Sequence, residues 1–250
     1  VDTQTDIMQR IIAFNIDFVR ERIAHAAGRS GRKAGDVKLM AVTKFRSGAE
    51  IEAAYKAGIR LFGENRVQEA AQKYGGGKLH LPGSSLHMIG NLQRNKVKSI
   101  LPLVDCIHSI DRIELLEEIA KRLSSVCAES ASDAHPLKLL LEVHTGEESK
   151  SGFVLQDDIV RALEYAEEKK LCVCGFMTMA PFTQDTEAIR RSFVQLRKTA
   201  QNMQQRFASF SLNELSMGMS SDFEIAVEEG STLVRIGSRL FQNHNSEKST

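Results

Sequence analysis

Apolar residues along the chain follow two periods in turn. Over residues 6–27, Ile7, Ile11, Phe14 and Phe18 form one stripe, with Ile12, Ile16, Val19 and Ile23 beside it. That spacing predicts a helix with a broad apolar face, and Gly28 supplies a stop. After a polar, Gly-containing link the pattern becomes short apolar runs, each followed by a helical stretch. Strand 37–43 leads to helix 49–57, 59–62 to 65–74, 86–89 to 93–100, and 104–108 to 111–126 with Asp111 as the cap. Strand 137–143 leads to helix 156–169, 171–178 to 186–207, 212–216 to 220–229, and 233–236 to a short helical turn. Eight such units predict a single closed (β/α)8 barrel of the TIM type with one extra N-terminal helix. An open doubly wound sheet is the competing fold. No composition break divides residues 1–250, so one domain is expected. Residues 124–135 read as a loop on the bottom face, Gly75–Gly77 as a flexible insert and 243–250 as a mobile tail.

Composition narrows the function. Hydrophobic residues make up 42% and charged residues 26%, as in ordinary globular proteins. A net charge of +1 gives no electrostatic case for nucleic acid or an anionic membrane. The apolar runs are strand-sized, too short to span a bilayer. The first helix is charged throughout, unlike a signal peptide. Cys106, Cys127, Cys172 and Cys174 show no zinc-type spacing, and the seven histidines form no HExxH or other metal pattern, so no metal is expected. Cys172 and Cys174 share a strand face as packing residues, and the chain reads as cytoplasmic and reduced.

In a barrel, reactive groups follow the C-terminal ends of the strands. The run Val37-Lys-Leu-Met-Ala-Val-Thr-Lys44 is apolar on both faces and ends in a lysine. Either Lys44 is an amine with its pKa lowered by burial, free to form a Schiff base, or it snorkels to solvent. Barrels hold phosphate on the loops after the last two strands, here Ser216-Met-Gly-Met-Ser220 and Val234-Arg-Ile-Gly-Ser238. The alternative makes Ser220 and Ser238 plain helix caps. Arg235, inside an apolar strand, needs a partner: a core carboxylate such as Glu142 or Glu214, or a ring atom of a ligand. Asn65 is a helix cap or a contact to a ligand oxygen. His87 reads as a satisfied core or rim residue, Glu147 and Glu148 as a solvated loop, and Lys150 as exposed.

Taken together, several motifs resemble the pyridoxal-phosphate homeostasis proteins, the proline synthetase co-transcribed homologues. They are Ala41-Val-Thr-Lys44, Phe62-Gly-Glu-Asn65 with Val67-Gln-Glu69, His87-Met-Ile-Gly90, Leu92-Gln93, Asn95-Lys96, Gly146-Glu-Glu-Ser-Lys150, Gly175-Phe-Met177, Ser216-Met-Gly-Met-Ser220 and Val234-Arg-Ile-Gly237. The resemblance covers about residues 39–241 and is carried by order and spacing. It implies a barrel like the N-terminal domain of alanine racemase, with pyridoxal 5'-phosphate (PLP) held as a Schiff base on Lys44. It maps the phosphate cradle onto Ser216, Met217, Ser220, Gly237 and Ser238. It places Arg235 at the pyridine nitrogen and Asn65 near the ring hydroxyl. It implies PLP buffering or delivery, and amino-acid/keto-acid balance, rather than a defined turnover. Apo PLP-dependent enzymes are the expected partners and a monomer the expected state. Thr43 stands where the family has serine, Met88 replaces an aromatic, and Gln242 stands in place of glycine, departures that touch only the rim of the pocket. An amino-acid racemase is the rival. That enzyme adds a β-rich second domain, for which no room is expected after residue 242, and uses a tyrosine as opposite base. Tyr55, Tyr74 and Tyr165 are expected on helices away from the mouth.

Overall fold

The computed structural model describes residues 3–127, 136–146 and 151–242. Helix α1 (Gln4–Arg29) opens with a capping box in which Thr3 and Asp6 exchange hydrogen bonds. Its buried stripe is Ile12, Ile16, Val19 and Ile23, whereas Ile7, Phe14 and Phe18 of the neighbouring stripe are exposed. Asn15, inside the buried stripe, donates from Nδ2 to the carbonyls of Leu240 and Gln242 and ties the chain's last helix to its first.

Strands and helices then alternate. They are β1 (Lys38–Val42), α2 (Gly48–Lys56), β2 (Leu61–Glu64), α3 (Val67–Tyr74), β3 (Ser85–Met88), α4 (Val97–Ile100), β4 (Cys106–Ile110) and α5 (Ile113–Cys127). There follow β5 (Lys138–Glu142), α6 (Gln156–Glu168), β6 (Cys172–Met177), α7 (Thr186–Arg206), β7 (Glu214–Ser216), α8 (Phe223–Glu228), β8 (Leu233–Ile236) and α9 (Ser238–Phe241). All neighbouring strands are parallel and join in chain order, with β8 closing on β1 in the register Ala41↔Ile236. The fold is a closed (β/α)8 barrel with an added N-terminal helix, and the open-sheet alternative is excluded.

Boundaries differ from the hydrophobic pattern where polar residues continue a strand. β2 runs on to Glu64, which pairs with Lys73 of α3, and β4 runs on past the predicted end at His108 through Ser109, which donates to the Gly90 carbonyl, to Ile110. Helix α5 begins two residues after Asp111, so that residue is not its cap; it pairs with Arg112 instead. Gly75–Gly77 forms a single 3-10 turn. Most of the expected 124–135 loop, the Glu147–Lys150 motif and the 243–250 tail lie outside the described residues.

Two apolar clusters separate the layers. The larger packs the outer faces of the strands against the helices, with Phe62, Phe176, Phe193 and Phe223 among its fully buried members. Each such ring contributes roughly 2–3 kcal/mol by leaving water. The smaller, Cys106, Leu140 and Met177 with Cys174, fills the barrel interior. Lys38 of β1 reaches Glu214 of β7 past the intervening β8, which is possible only through that interior. Lys38, Met40 and Val42 therefore share the inward phase of β1.

Candidate functional site at the C-terminal mouth

Parallel strands put all their C-terminal ends on one rim. Lys44 follows β1, Asn65 follows β2, Ser220 follows β7 and Ser238 follows β8, so the four lie after four adjoining strands. Lys44 keeps the inward phase of Met40 and Val42. It is exposed, as in the snorkelling alternative and not the buried-amine one, and β1 has ended at Val42 before it.

The turn that carries Lys44 is held from beneath. Phe45 has φ 62°, a left-handed conformation that costs a bulky residue about 1–2 kcal/mol. Its N–H donates to Glu69 Oε2 at 2.9 Å. Lys73 Nζ donates to the Thr43 carbonyl (2.7 Å), Glu64 Oε1 (2.9 Å) and Glu69 Oε2 (3.0 Å), so one cation clamps both sides of the Lys44 peptide. Thr43 Oγ1 donates to Glu64 Oε1 at 2.7 Å, and the Tyr74 hydroxyl lies 3.2 Å from the same Oγ1. Tyr74 is on a helix, as expected, and the end of α3 delivers its phenol to Thr43, on the outward phase of β1. Burial pushes the Tyr74 hydroxyl's pKa up, which keeps it protonated and unsuited to act as a base. Burial also pushes the Glu64 carboxyl up against its bonds to Thr43 and Lys73, and its Oε2 has no hydrogen-bond partner among the described residues.

Asn65 is half-buried, and its side chain has no hydrogen-bond partner among the described residues. It is not a cap, because α3 begins at Val67 with Arg66 in the capping position. A Cβ on Gly90 would collide with the Asn65 carbonyl oxygen, so only glycine after β3 lets this rim close up.

The two anion loops are only partly as expected. Neither serine is an N-cap: Asp222 precedes α8 and Gly237 precedes α9. Ser220 and Gly237 are half-buried and Ser238 is exposed. The N–H groups of Ser220 and Ser221 have no backbone acceptor among the described residues. Asp222 takes the Met219 N–H at 2.6 Å and shapes the turn. Gly218 sits at φ 97°, where a Cβ would stand 2.6 Å from Ala226 Cβ. The Ser216 side chain and the Met217 N–H are already bonded within the barrel. Met217 is fully buried, and its N–H is already given to the Leu233 carbonyl. The Ser216 hydroxyl points into the barrel and is consumed there.

Arg235 consumes it. Nη1 donates to Ser216 O and Oγ, each at 2.6 Å, and Nη2 donates to Thr178 O at 2.9 Å. Neither Glu142 nor Glu214 pairs with it: Glu142 accepts from Ser151, and Glu214 binds Lys38 and Thr232. Burial pulls the guanidinium pKa down to about 10, opposed by the charges of Asp222 and Glu142, so it stays protonated at neutral pH. Three of its five N–H groups are used; Nε and one Nη2 hydrogen have no acceptor among the described residues.

From Ser216 a chain runs down the barrel. His108 Nδ1 is 2.9 Å from Ser216 Oγ, His108 Nε2 is 2.8 Å from His87 Nδ1, and His87 Nε2 is 3.1 Å from Ser85 Oγ. Ser85 donates to Asp105 Oδ2 at 2.8 Å. Arginine only donates and a carboxylate only accepts, so the ends set every proton in between. Ser216 donates to His108, His108 to His87, and His87 to Ser85. Burial holds both imidazoles neutral, with the His87 pKa down to about 4 and that of His108 well below its usual range. His87 is the satisfied interior residue that the sequence suggests, whereas the part played by His108 was not legible there. The only sequence sign of it is a histidine and a serine inside an apolar strand.

The alanine racemase N-terminal domain family matches residues 15–244. A pyridoxal phosphate homeostasis protein of Aquifex aeolicus (strain VF5) is 39% identical over 225 residues, 89% of this chain and 94% of that protein. PipY of Synechococcus elongatus PCC7942, solved with PLP bound, superposes with a TM-score of 0.75 at 34% identity, over 88% of this chain and 100% of that one. Alanine racemase of Corynebacterium glutamicum superposes with a TM-score of 0.67 at 14% identity, over 94% of this chain and 62% of that one, a likeness of fold.

Proposed function

The chain belongs to the pyridoxal phosphate homeostasis family, and from that premise we propose that it binds PLP at the C-terminal mouth of its barrel, as a Schiff base on Lys44, and buffers or delivers the cofactor. The observation that carries this is the clustering of unspent groups on one rim. An exposed lysine, an unpaired asparagine and two open serine N–H groups follow adjoining strands, and Arg235, inside β8 just beneath them, keeps free donors.

In this reading Lys44 supplies the amine, and the Lys73 clamp fixes its turn. Ser220, Gly237 and Ser238 with the open N–H groups hold the phosphate, Asn65 meets the ring hydroxyl, and Arg235 meets the pyridine nitrogen. When bound, the cofactor supplies an aldehyde that condenses reversibly with an amine, so it can be held and released. Arg235, protonated and pinned by Ser216 and Thr178, donates to the ring nitrogen rather than giving it a proton. That weakens the ring as an electron sink, which suits a carrier better than a broad amino-acid enzyme. Tyr74 is not placed to serve as a racemase's opposite base: its buried, protonated hydroxyl lies against Thr43, on the lysine's own side of the site.

No helix among the described residues is long and apolar enough to cross a membrane. The reading places the protein in the cytoplasm as a monomer, with apo PLP-dependent enzymes as recipients. A visible-absorbance titration with PLP tests it. Wild type is expected to develop the internal Schiff-base band and to pass PLP to an apo-enzyme. Lys44→Ala is expected to lack the band, and racemisation of added amino acids is expected to stay at background. Sustained Lys44-dependent racemisation would replace the carrier with an enzyme.

A further inference from the structure

Beneath the mouth, the barrel interior gathers a second set of donors. His87 of β3 and Cys106 and His108 of β4 bring one ligand atom each within 4.8 Å of one another. The Cys174 thiol of β6 packs against the small apolar cluster that holds Cys106 and donates to the Leu139 carbonyl at 3.6 Å. We propose that these side chains form a binding site for a soft divalent cation of the zinc class. Its ligands are His87 Nδ1, His108 Nε2, Cys106 Sγ and Cys174 Sγ.

Four features support this. The donor set is two imidazoles and two thiols, the chemistry that tetrahedral zinc takes. The outward nitrogen of each ring is already engaged: His87 Nε2 with Ser85, itself bonded to Asp105, and His108 Nδ1 with Ser216. Metal-ligating histidines are oriented by such partners. Two thiolates balance a dication, so the filled site is neutral, which a buried site requires. Cys106 and Cys174 are both free thiols, so neither is held in a disulfide.

Binding balances without any redox partner. Two nitrogen–metal and two sulfur–metal bonds replace bound water, and two thiol protons leave to solvent. The ring proton that His108 gives His87 moves to its other nitrogen, where Ser216 Oγ accepts it. Half-buried His87 and Cys174 leave the cluster reachable from the bottom of the barrel, away from the mouth. The ligands come from β3, β4 and β6, which is why no linear cysteine–histidine spacing announces them. Through His108 and Ser216 the metal would also brace Arg235.

The test is equilibrium dialysis of the purified chain against micromolar free Zn2+, followed by elemental analysis and zinc-edge X-ray absorption. One zinc per chain is expected, with two sulfurs at about 2.3 Å and two nitrogens at about 2.0 Å. Cys106→Ala and Cys174→Ser are expected to weaken binding more than about 100-fold, and Ser85→Ala about 10-fold, the loss typical of an orienting partner. Sub-stoichiometric zinc in the wild type would overturn the site, as would a shell of only oxygen and nitrogen. So would Cys106→Ala binding as tightly as wild type. The sulfur count is read on the wild type, so it decides even if a variant fails to fold.

Discussion

The rim of the barrel and the layer beneath it are built on opposite terms. At the rim Lys44 is exposed, Phe45 is left-handed, Asn65 is unpaired, and Glu64 keeps a buried oxygen without a partner. One layer down, from Arg235 through Ser216, His108, His87 and Ser85 to Asp105, each link's donor has an acceptor. An unmade buried hydrogen bond costs about 1–3 kcal/mol, so leaving several groups open is affordable only over a support that is closed. The difference separates what must meet a ligand from what must hold still.

Substitutions sharpen that contrast. The largest effect is expected at the rim: Lys44→Ala should abolish covalent PLP retention while leaving the unfolding midpoint in urea within about 0.5 kcal/mol of wild type, as for an exposed side chain. Loss of stability comparable to a core mutation would mean that Lys44 is structural. Lys73→Met comes next. It leaves Glu64 buried without its cation and should cost about 3–5 kcal/mol in urea unfolding at neutral pH. The loss should shrink in acid, because burial already raises the Glu64 pKa and protonation removes the stranded charge.

The layer beneath should answer to pH. The His87 pKa is lowered to about 4 in the fold, against 6.5 for the free side chain, so the unfolded chain takes up the proton first. Its contribution is fully present above pH 6.5 and is lost as pH falls toward 4, about 3 kcal/mol in all. His87→Gln should flatten that acid limb of the stability curve; an unchanged limb would place the titration elsewhere. The smallest effect is expected at Phe45→Gly. Relief of the left-handed φ, offset by a more flexible unfolded chain, should change stability by no more than about 1 kcal/mol. It should nonetheless speed release of PLP by loosening the Lys44 turn, which a stopped-flow exchange measurement reads.

The barrel was legible because apolar runs and amphipathic helices alternate at a fixed spacing, and each pattern is local. Strand ends were less so, since Glu64 and Ser109 continue strands with polar residues whose partners lie on other elements. At the site, Lys44, Asn65, Ser220, Gly237 and Ser238 could be placed on the rim from strand order alone. Ser216 and Met217 could not be separated from them, because direction into or out of the barrel depends on the strand's last inward turn. The contact of Tyr74 with Thr43 was not legible because a helix terminus, not a strand end, makes it. His87 and His108 lie on different strands, and only closure of the barrel makes them neighbours.

Borohydride reduction of the PLP-loaded protein, followed by digestion and mass spectrometry, bears most directly on the mouth as a covalent cofactor site. The account predicts a stoichiometric pyridoxyl adduct on the peptide carrying Lys44, and none on that peptide in Lys44→Ala. An adduct confined to other lysines, or no adduct from a protein that still binds PLP, would contradict it.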